Sequence, residues 1–319
     1  MDGICTENGS SRSRPDSIND SHQVILFGEV LVDVFPDREV IGGAPLNVAR
    51  HLRSFGLSPL LISRTGKDTT GEQIMALLKH FQIDKAGIQL DACHSTGQVR
   101  VHLESCNHSF EILPDQAYDY IDAEEVRRVA LAQKPCLIYF GTLVERSPAS
   151  LTALQTLLET AHAPRLLDLN LRAPWYDSWI IRQSLEAADM VKINEIELAV
   201  LAHMFECSGK DVLERSRRLM EPFALQKILI TMGPGGAWLL NADGTEAHVF
   251  GNPEMSVMDT VGAGDAFAAV FILGLLQGWP DPLVLERADA FARAICGIRG
   301  AVPMDDRFYE PFVADWATR

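Results

Sequence analysis

The stretch DTVGAGDAF, residues 259–267, sets one carboxylate, Asp265, among Gly262, Ala263, Gly264 and Ala266. It runs into AAVFILGLLQ, a segment apolar on every face, which reads as a buried helix. Gly262, Ala263 and Gly264 put little bulk over the backbone, so three N–H groups are expected to stay open at that helix's N-terminus. Open donors and the positive end of the helix dipole together make an anion hole. Asp265 falls in the first turn, where the same dipole should keep it ionised and able to accept a proton. A base and an anion hole within one helical turn suit phosphoryl transfer to a hydroxyl: the base takes the proton while the amides hold the phosphoryl charge. A capping loop around a buried helix would use the same residues.

Two familiar phosphate loops do not account for the glycines. SRTGKDTT offers Gly66-Lys67, but Asp68 stands where a P-loop needs Ser or Thr, and Leu61 where it needs Gly. GPGG (233–236) and GAGD (262–265) are GxG fragments whose sixth positions are Trp238 and Phe267, which disfavours dinucleotide binding.

The elements that must position Asp265 alternate. VILFGEVLVDVF (24–35) reads as a buried strand, APLNVARHLRSFG (44–56) as a helix ending at Gly56, LLIS (60–63) as a strand and GEQIMALLKHF (71–81) as a helix. Strands follow at 137–141, 166–170, 190–194 and 227–233. Helices follow Ser147-Pro148, near 178–187, over 208–220, after Gly264 and near 282–297. A hairpin over 237–250 turns at Asp243-Gly244. This rhythm means stacked βαβ units: an α/β fold with a mostly parallel sheet covered on both faces. Ligands of such sheets bind outside the carboxyl ends of the strands. Residues 97–112 alternate apolar and polar instead, a half-exposed hairpin turning near Ser105 to Asn107. With the segment 34–41 it is expected to form a β-lid over the site. Residues 1–22, polar and aperiodic, read as a disordered tail, leaving 23–319 as one domain.

The chain has 319 residues, 47% hydrophobic, with 28 basic against 43 acidic side chains and a net charge of −15. So acidic a chain is a poor partner for nucleic acid. It has no apolar run long enough to span a membrane and no apolar h-region at its start. Six scattered cysteines without a CxxC read as reduced thiols, and the compartment as cytoplasmic. Cys93, His94, His102, Cys106 and His108 lie close together in sequence, but their spacing matches no zinc pattern. Small polar and acidic residues gather after the strands instead: Glu29 and Asp33; Gly42, Gly43 and Asn47; Asp168, Asn170 and Arg172; Asn194 and Glu197; Thr231, Gly233, Gly235 and Gly236; Asp259 and the glycines before Asp265. Each alone would serve as a turn or cap residue; together they mark a site.

Four pieces in order carry a resemblance: GEVLVDVF followed by GGAPLNVARHL, DLNLRAPW, KINEIEL with its N-x-x-E, and DTVGAGDAF. From about residue 24 the chain resembles the ribokinase-like, PfkB-type carbohydrate kinases. The resemblance implies a three-layer sandwich with a small β-sheet lid, and ATP and Mg²⁺ as cofactors. It implies Asp265 as the base and Gly262, Ala263 and Gly264 as the anion hole. Asn194 and Glu197 would position Mg²⁺ through its waters, and Thr231, Gly233 and Gly236 would line ATP. Asp33, Gly42, Gly43 and Asn47 would bind the sugar, with Phe110 on the lid; Arg100 and Arg172 would meet sugar or phosphate, or else form surface ion pairs. Asp259 and the Val261 carbonyl would belong to a monovalent-cation (K⁺) site, and the lid to a homodimer contact. ARAICGIRGAVPM (292–304) departs from the family: it is shorter than usual, and Arg293 stands where Asn is common. Leu31 in GEVLVDVF, GGAPLNVA, DLNLRAPW and the lid run SFEILPDQAYDYI resemble fructokinases most. The alternatives are a 2-keto-3-deoxygluconate kinase or other sugar kinase of the family and, in a different class, a non-catalytic sugar or nucleotide sensor.

Overall fold

The computed structural model describes residues 23–103, 108–251 and 258–317. The expected tail (1–22) and the hairpin turn at 105–107 lie outside them. In chain order the elements are β1 (Gln23–Phe27), β2 (Leu31–Val34), β3 (Glu39–Gly42), α1 (Ala44–Ser54), β4 (Ser58–Gly66), α2 (Thr69–His80), β5 (Ile88–Asp91), β6 (Gly97–Leu103), β7 (His108–Ile112), α3 (Ala123–Leu131), β8 (Leu137–Gly141), α4 (Pro148–Thr160) and β9 (Arg165–Asp168). Then come α5 (Ser178–Ala187), β10 (Met190–Asn194), α6 (Glu195–Met204), α7 (Val212–Met220), β11 (Lys227–Thr231), β12 (Gly236–Asn241), β13 (Glu246–Phe250), α8 (Ala263–Gln277), α9 (Asp281–Cys296) and α10 (Glu310–Trp316).

Nine strands form one sheet in the order β13-β12-β11-β10-β9-β8-β1-β4-β5. The pairs from β11 across to β5 are parallel, and β12 and β13 are antiparallel at one edge. The strands are apolar throughout because both faces are covered. In β1, Val24 and Leu26 join the core under α1, α2, α8 and α9, while Ile25 and Phe27 join the core under α3 to α7. That is the expected three-layer arrangement.

A second sheet, β3-β2-β6-β7, stands apart from the first. The run 24–35 is therefore two strands and not one. Gly28, with φ of 153°, breaks it: a Cβ there would meet Pro45 Cγ at 2.7 Å. The lid accordingly begins at Leu31. Asp68, which spoils the P-loop pattern, caps α2 by accepting from Gly71 N–H at 2.8 Å, and it also holds Thr96 N–H at 2.8 Å. Ser147 precedes α4 as expected, but its hydroxyl donates to the Asp119 carbonyl instead of capping the helix. Among the described residues no helix is long and apolar enough to cross a membrane.

Candidate active site

The strand ends and the first turn of α8 converge on Asp265. Gly262, the residue before α8, has φ of 81°, and a Cβ on it would lie 2.4 Å from Ala301. Only glycine lets the chain turn into the helix there. Ala263 N–H donates to the Thr260 carbonyl at 3.3 Å, so it is less open than the sequence suggests. The amides of Gly262, Gly264 and Asp265 have no hydrogen-bond partner among the described residues. Asp265's own amide thus takes the place of Ala263's among the open donors.

Asp265 is partly buried and accepts from Asn47 Nδ2 at 2.8 Å, a contact that ties α8 to α1. Burial pushes its carboxyl up to about 6, against the pull of Asn47, Lys192 and Arg172. The dipole therefore does not hold it at an ordinary carboxylate value, yet it is still mainly ionised at neutral pH. Asn47 is 6% exposed, and its Oδ1 is buried without a partner. Asp33 on β2 is also raised by burial, to about 6, with Arg172 opposing. Gly42 pairs with Leu31 across β2–β3, diagonal to Asp33; a Cβ there would come within 3.2 Å of Asp33 Oδ2. Gly43 has φ of 110° and packs on the Glu29 carbonyl, which admits no side chain. Arg172, exposed in the loop after β9, lies within electrostatic reach of Glu29, Asp33 and Asp265.

The lid register separates the two remaining sugar-side candidates. Asp33 pairs with Val99, and Val101 with Phe110, so Asp33, Val99, Val101 and Phe110 share the face whose Leu31, Val99 and Ile112 pack on the body. Phe110 is half-exposed on that face. Arg100 pairs with Val34 and Glu111, on the opposite face, where it meets Glu111 at 3.7 Å. Alternation thus turns Arg100 away from Asp33 and leaves it paired with Glu111 at the surface.

On the other side of Asp265, Asn194 and Glu197, the residues expected at the nucleotide, form a capping box at the start of α6. Glu197 Oε2 accepts from Asn194 N–H at 2.8 Å and Oε1 from Leu171 N–H at 2.8 Å, while Asn194 Oδ1 accepts from Glu197 N–H at 2.9 Å. With both oxygens so used, Glu197 suits contact with a cation through water. Thr231 ends β11, its hydroxyl donating to the Ile193 carbonyl at 3.4 Å. Gly233, with φ of 52°, stands open, whereas Gly236 is demanded by the backbone: a Cβ there would collide with the Val249 carbonyl. Asp259 accepts from Val261 N–H at 3.0 Å and Gly300 N–H at 3.1 Å, which joins the loop before α8 to the loop after α9. Val261 is exposed. Arg293 lies back along α9 on Asp289 at 2.6 Å. His94 bonds Asp91 and stacks on Tyr120, while His102 bonds Glu111; the side chain of Cys106 lies outside the described residues.

Two buried residues that the sequence did not assign to the site, Lys192 and Tyr139, meet the strand-end acid Asp168 there, with Glu29 close by. Lys192, inside β10, donates to both oxygens of Asp168 at 2.9 Å, and Tyr139 donates to the same carboxylate at 3.0 Å. Burial pulls the Lys192 ammonium down, but Asp168 more than offsets this and its net shift is upward. A Cβ on Gly264 would stand 3.5 Å from Lys192 Nζ, so the ammonium lies directly beneath the first turn of α8. Glu29, the first acid after β1, is pushed up to about 7 by burial while accepting from Ala44 N–H at 3.3 Å. With Tyr139, Thr142, Asp168 and Asn170 it lines a small cavity at the strand ends. A lysine at an inward position of the otherwise apolar MVKIN is the sequence signal that was available.

A family model described as pfkB family carbohydrate kinase matches residues 16–307. A curated fructokinase of Klebsiella pneumoniae is 29% identical over 288 residues, covering 86% of this chain and 92% of its own. The structure of a fructokinase with bound ATP from Xylella fastidiosa superposes with a TM-score of 0.79 at 20% identity, covering 94% of this chain and all of that one. A Vibrio cholerae O395 fructokinase double mutant, bound to fructose, ADP and potassium ion, superposes with a TM-score of 0.75 at 22% identity, over 91% and 98% of the two chains. At these identities the structural likeness shows a common fold.

Proposed function

From the chain's membership of the pfkB family of carbohydrate kinases, we propose that it is a fructokinase, transferring the γ-phosphoryl group of ATP to the 6-hydroxyl of D-fructose, with Asp265 as the base. The observation that carries this reading is the Asn47–Asp265 pair. Asn47 Nδ2 holds the carboxylate at 2.8 Å, and its own Oδ1 is buried without a partner. A buried acceptor left unpaired costs about 1–3 kcal/mol. A sugar hydroxyl donating to Asn47 Oδ1 removes that cost and sits beside the base. Asp33 and Arg172 supply further acceptor and donor groups on the same side.

The other side fits an anion. The amides of Gly262, Gly264 and Asp265, with the Lys192 ammonium beneath, form a positive floor on which phosphoryl oxygens can rest. When bound, Mg²⁺ would be held through water by Asn194 and Glu197 and would supply positive charge to neutralise the phosphates. Among the described residues no three His, Cys, Asp or Glu side chains gather as a cage, which suits a Mg²⁺ held mainly by phosphate and water near Asn194 and Glu197. Asp259 and the Val261 carbonyl are proposed for a K⁺ site that steadies the loop before α8, and the outer face of the lid for a homodimer contact. The cytoplasm is the proposed compartment.

Fructose as acceptor is supported by Leu31 beside Asp33, by GGAPLNVA and DLNLRAPW, and by the name of the Klebsiella relative. The test is ADP release across fructose, ribose, glucose, 2-keto-3-deoxygluconate, fructose phosphates and adenosine, with and without K⁺. Turnover on fructose in preference to the others is expected. Preference for a sugar acid or nucleoside would overturn the substrate, and ATP binding without turnover on any acceptor would favour a sensor.

A further inference from the structure

We propose that Arg146 is a positioning residue that locks the base of the lid to the loop carrying Arg172, and so sets where the lid meets the sugar. Arg146 follows β8 in a short 3₁₀ turn, and its side chain is 5% exposed. It forks onto Asp119, Nε to Oδ1 and Nη2 to Oδ2, each at 2.7 Å. Nη2 also donates to the Leu113 carbonyl at 2.7 Å. The guanidinium lies 4.4 Å from the Trp175 ring centre and 5.0 Å from that of Tyr118.

Each partner leads to a different part of the site. Leu113 follows β7, and its N–H donates to the Gln98 carbonyl on β6 at 3.2 Å. Tyr118 fills the space beside Gly97 at the start of β6, where a Cβ would lie 2.6 Å from its ring. Asp119 accepts from Gln116 N–H at 3.0 Å and so fixes the segment descending from the lid. Trp175 N–H donates to the Arg172 carbonyl at 2.7 Å, closing the turn that presents Arg172. One side chain therefore bonds the residue that follows β7 and reaches the start of β6 through Tyr118 and the Arg172 turn through Trp175. A buried ion pair adds little net stability over an apolar filling of equal volume. What Arg146 supplies is direction, because only a planar fork can bond Asp119 side-on and stack on Trp175 at once.

The kinetic arm of the test rests on the fructokinase reading; the exchange arm does not. In the full-length protein, Arg146→Lys keeps the charge and loses the fork and the stacking. The Michaelis constant for fructose should rise about tenfold with a smaller fall in kcat, because a misplaced contact weakens sugar binding before it touches the base. ATP hydrolysis without sugar should rise relative to transfer, since a lid that seats poorly admits water. Hydrogen exchange should quicken in 97–103, 108–112 and 171–176, and stay unchanged in 137–141 and 165–168. Trp175→Leu, which leaves the Asp119 fork intact, should show the same pattern more weakly and serves if Arg146→Lys does not fold. Wild-type exchange and an unaltered hydrolysis-to-transfer ratio would overturn the proposal. So would a loss of Tm with exchange quickening evenly through all strands, which marks a merely structural residue. If the wild type does not phosphorylate fructose, the substrate reading fails and the exchange pattern alone decides Arg146.

Discussion

The two sheets treat charge in opposite ways. At the strand ends of the nine-stranded sheet, Lys192, Asp168, Glu29 and Glu197 are buried and held by backbone or by each other. On the lid, Arg100, His102 and Glu111 are half-exposed, and their pairs are surface ones. Buried charge in a low dielectric is costly to rearrange and acts strongly on its neighbours. Exposed pairs contribute about 0–1 kcal/mol and are easily exchanged. On the proposed reading the proton transfer rests on the stiff sheet, and the sugar contacts of Asp33 and Phe110 on the adjustable one. Substitutions should divide along that line.

The largest effect belongs to the sheet side. Asp265→Asn should lower kcat by about 10²–10⁴-fold, the usual worth of a general base, with the fold retained. Steady-state kinetics with circular dichroism checks it; a kcat within tenfold of wild type would break the comparison. Next, Lys192→Met should cost about 3–5 kcal/mol in denaturant unfolding, because it leaves the Asp168 carboxylate buried without its cation. A loss below 1 kcal/mol would mean the pair is not the anchor it resembles.

Asp265→Asn should also stabilise the protein. Its carboxyl has a higher pKa folded, about 6, than the ordinary 3.8. The ionised form therefore opposes folding above pH 6, and that penalty fades as pH falls toward 4. A gain of roughly 1–2 kcal/mol at pH 8 is expected, allowing for the partial exposure of the group, shrinking to nothing near pH 4. No gain at pH 8, or one that grows on acidification, would contradict the burial argument.

The smallest effects lie on the lid. Phe110→Ala should raise the Michaelis constant for fructose roughly three- to tenfold with little change in kcat, the pattern of lost uniform binding. Arg100→Ala, on the far face, should alter neither by more than about twofold. A strong response at Arg100 would mean that the lid twists this face toward the substrate.

Much of the sheet was legible because its strands are apolar runs between glycines and polar turns. LIYFG and MVKIN mark strands to the residue, and Asp243-Gly244 marks its hairpin turn. The break at Gly28 was not legible, since VILFGEVLVDVF stays apolar through it and only Pro45, brought in by α1, explains why a glycine must stand there. AEEVRRVAL escaped notice as a helix because it buries only Val126 and Ala130. In the site, GAGD was readable from its exposed backbone, and the two glycines before α1 from their place after a strand and from the family resemblance. For Arg100 the alternation of Val99 and Val101 with Arg100 and His102 was readable, but not that β6 pairs with β2 so that Asp33 shares the valines' face. Lys192 was missed for a related reason: a lysine is buried only through a partner distant in sequence, here Asp168.

The most direct test of Asp265 as the base is the pH dependence of kcat/KM for fructose in the wild type and in Asp265→Asn. The wild type should lose activity as pH falls through about 6, where the carboxyl takes up its proton, and the variant should be slower by about 10²-fold or more at neutral pH with that acidic limb gone. A variant that keeps both the wild-type rate and the limb would show that another group takes the proton from the sugar.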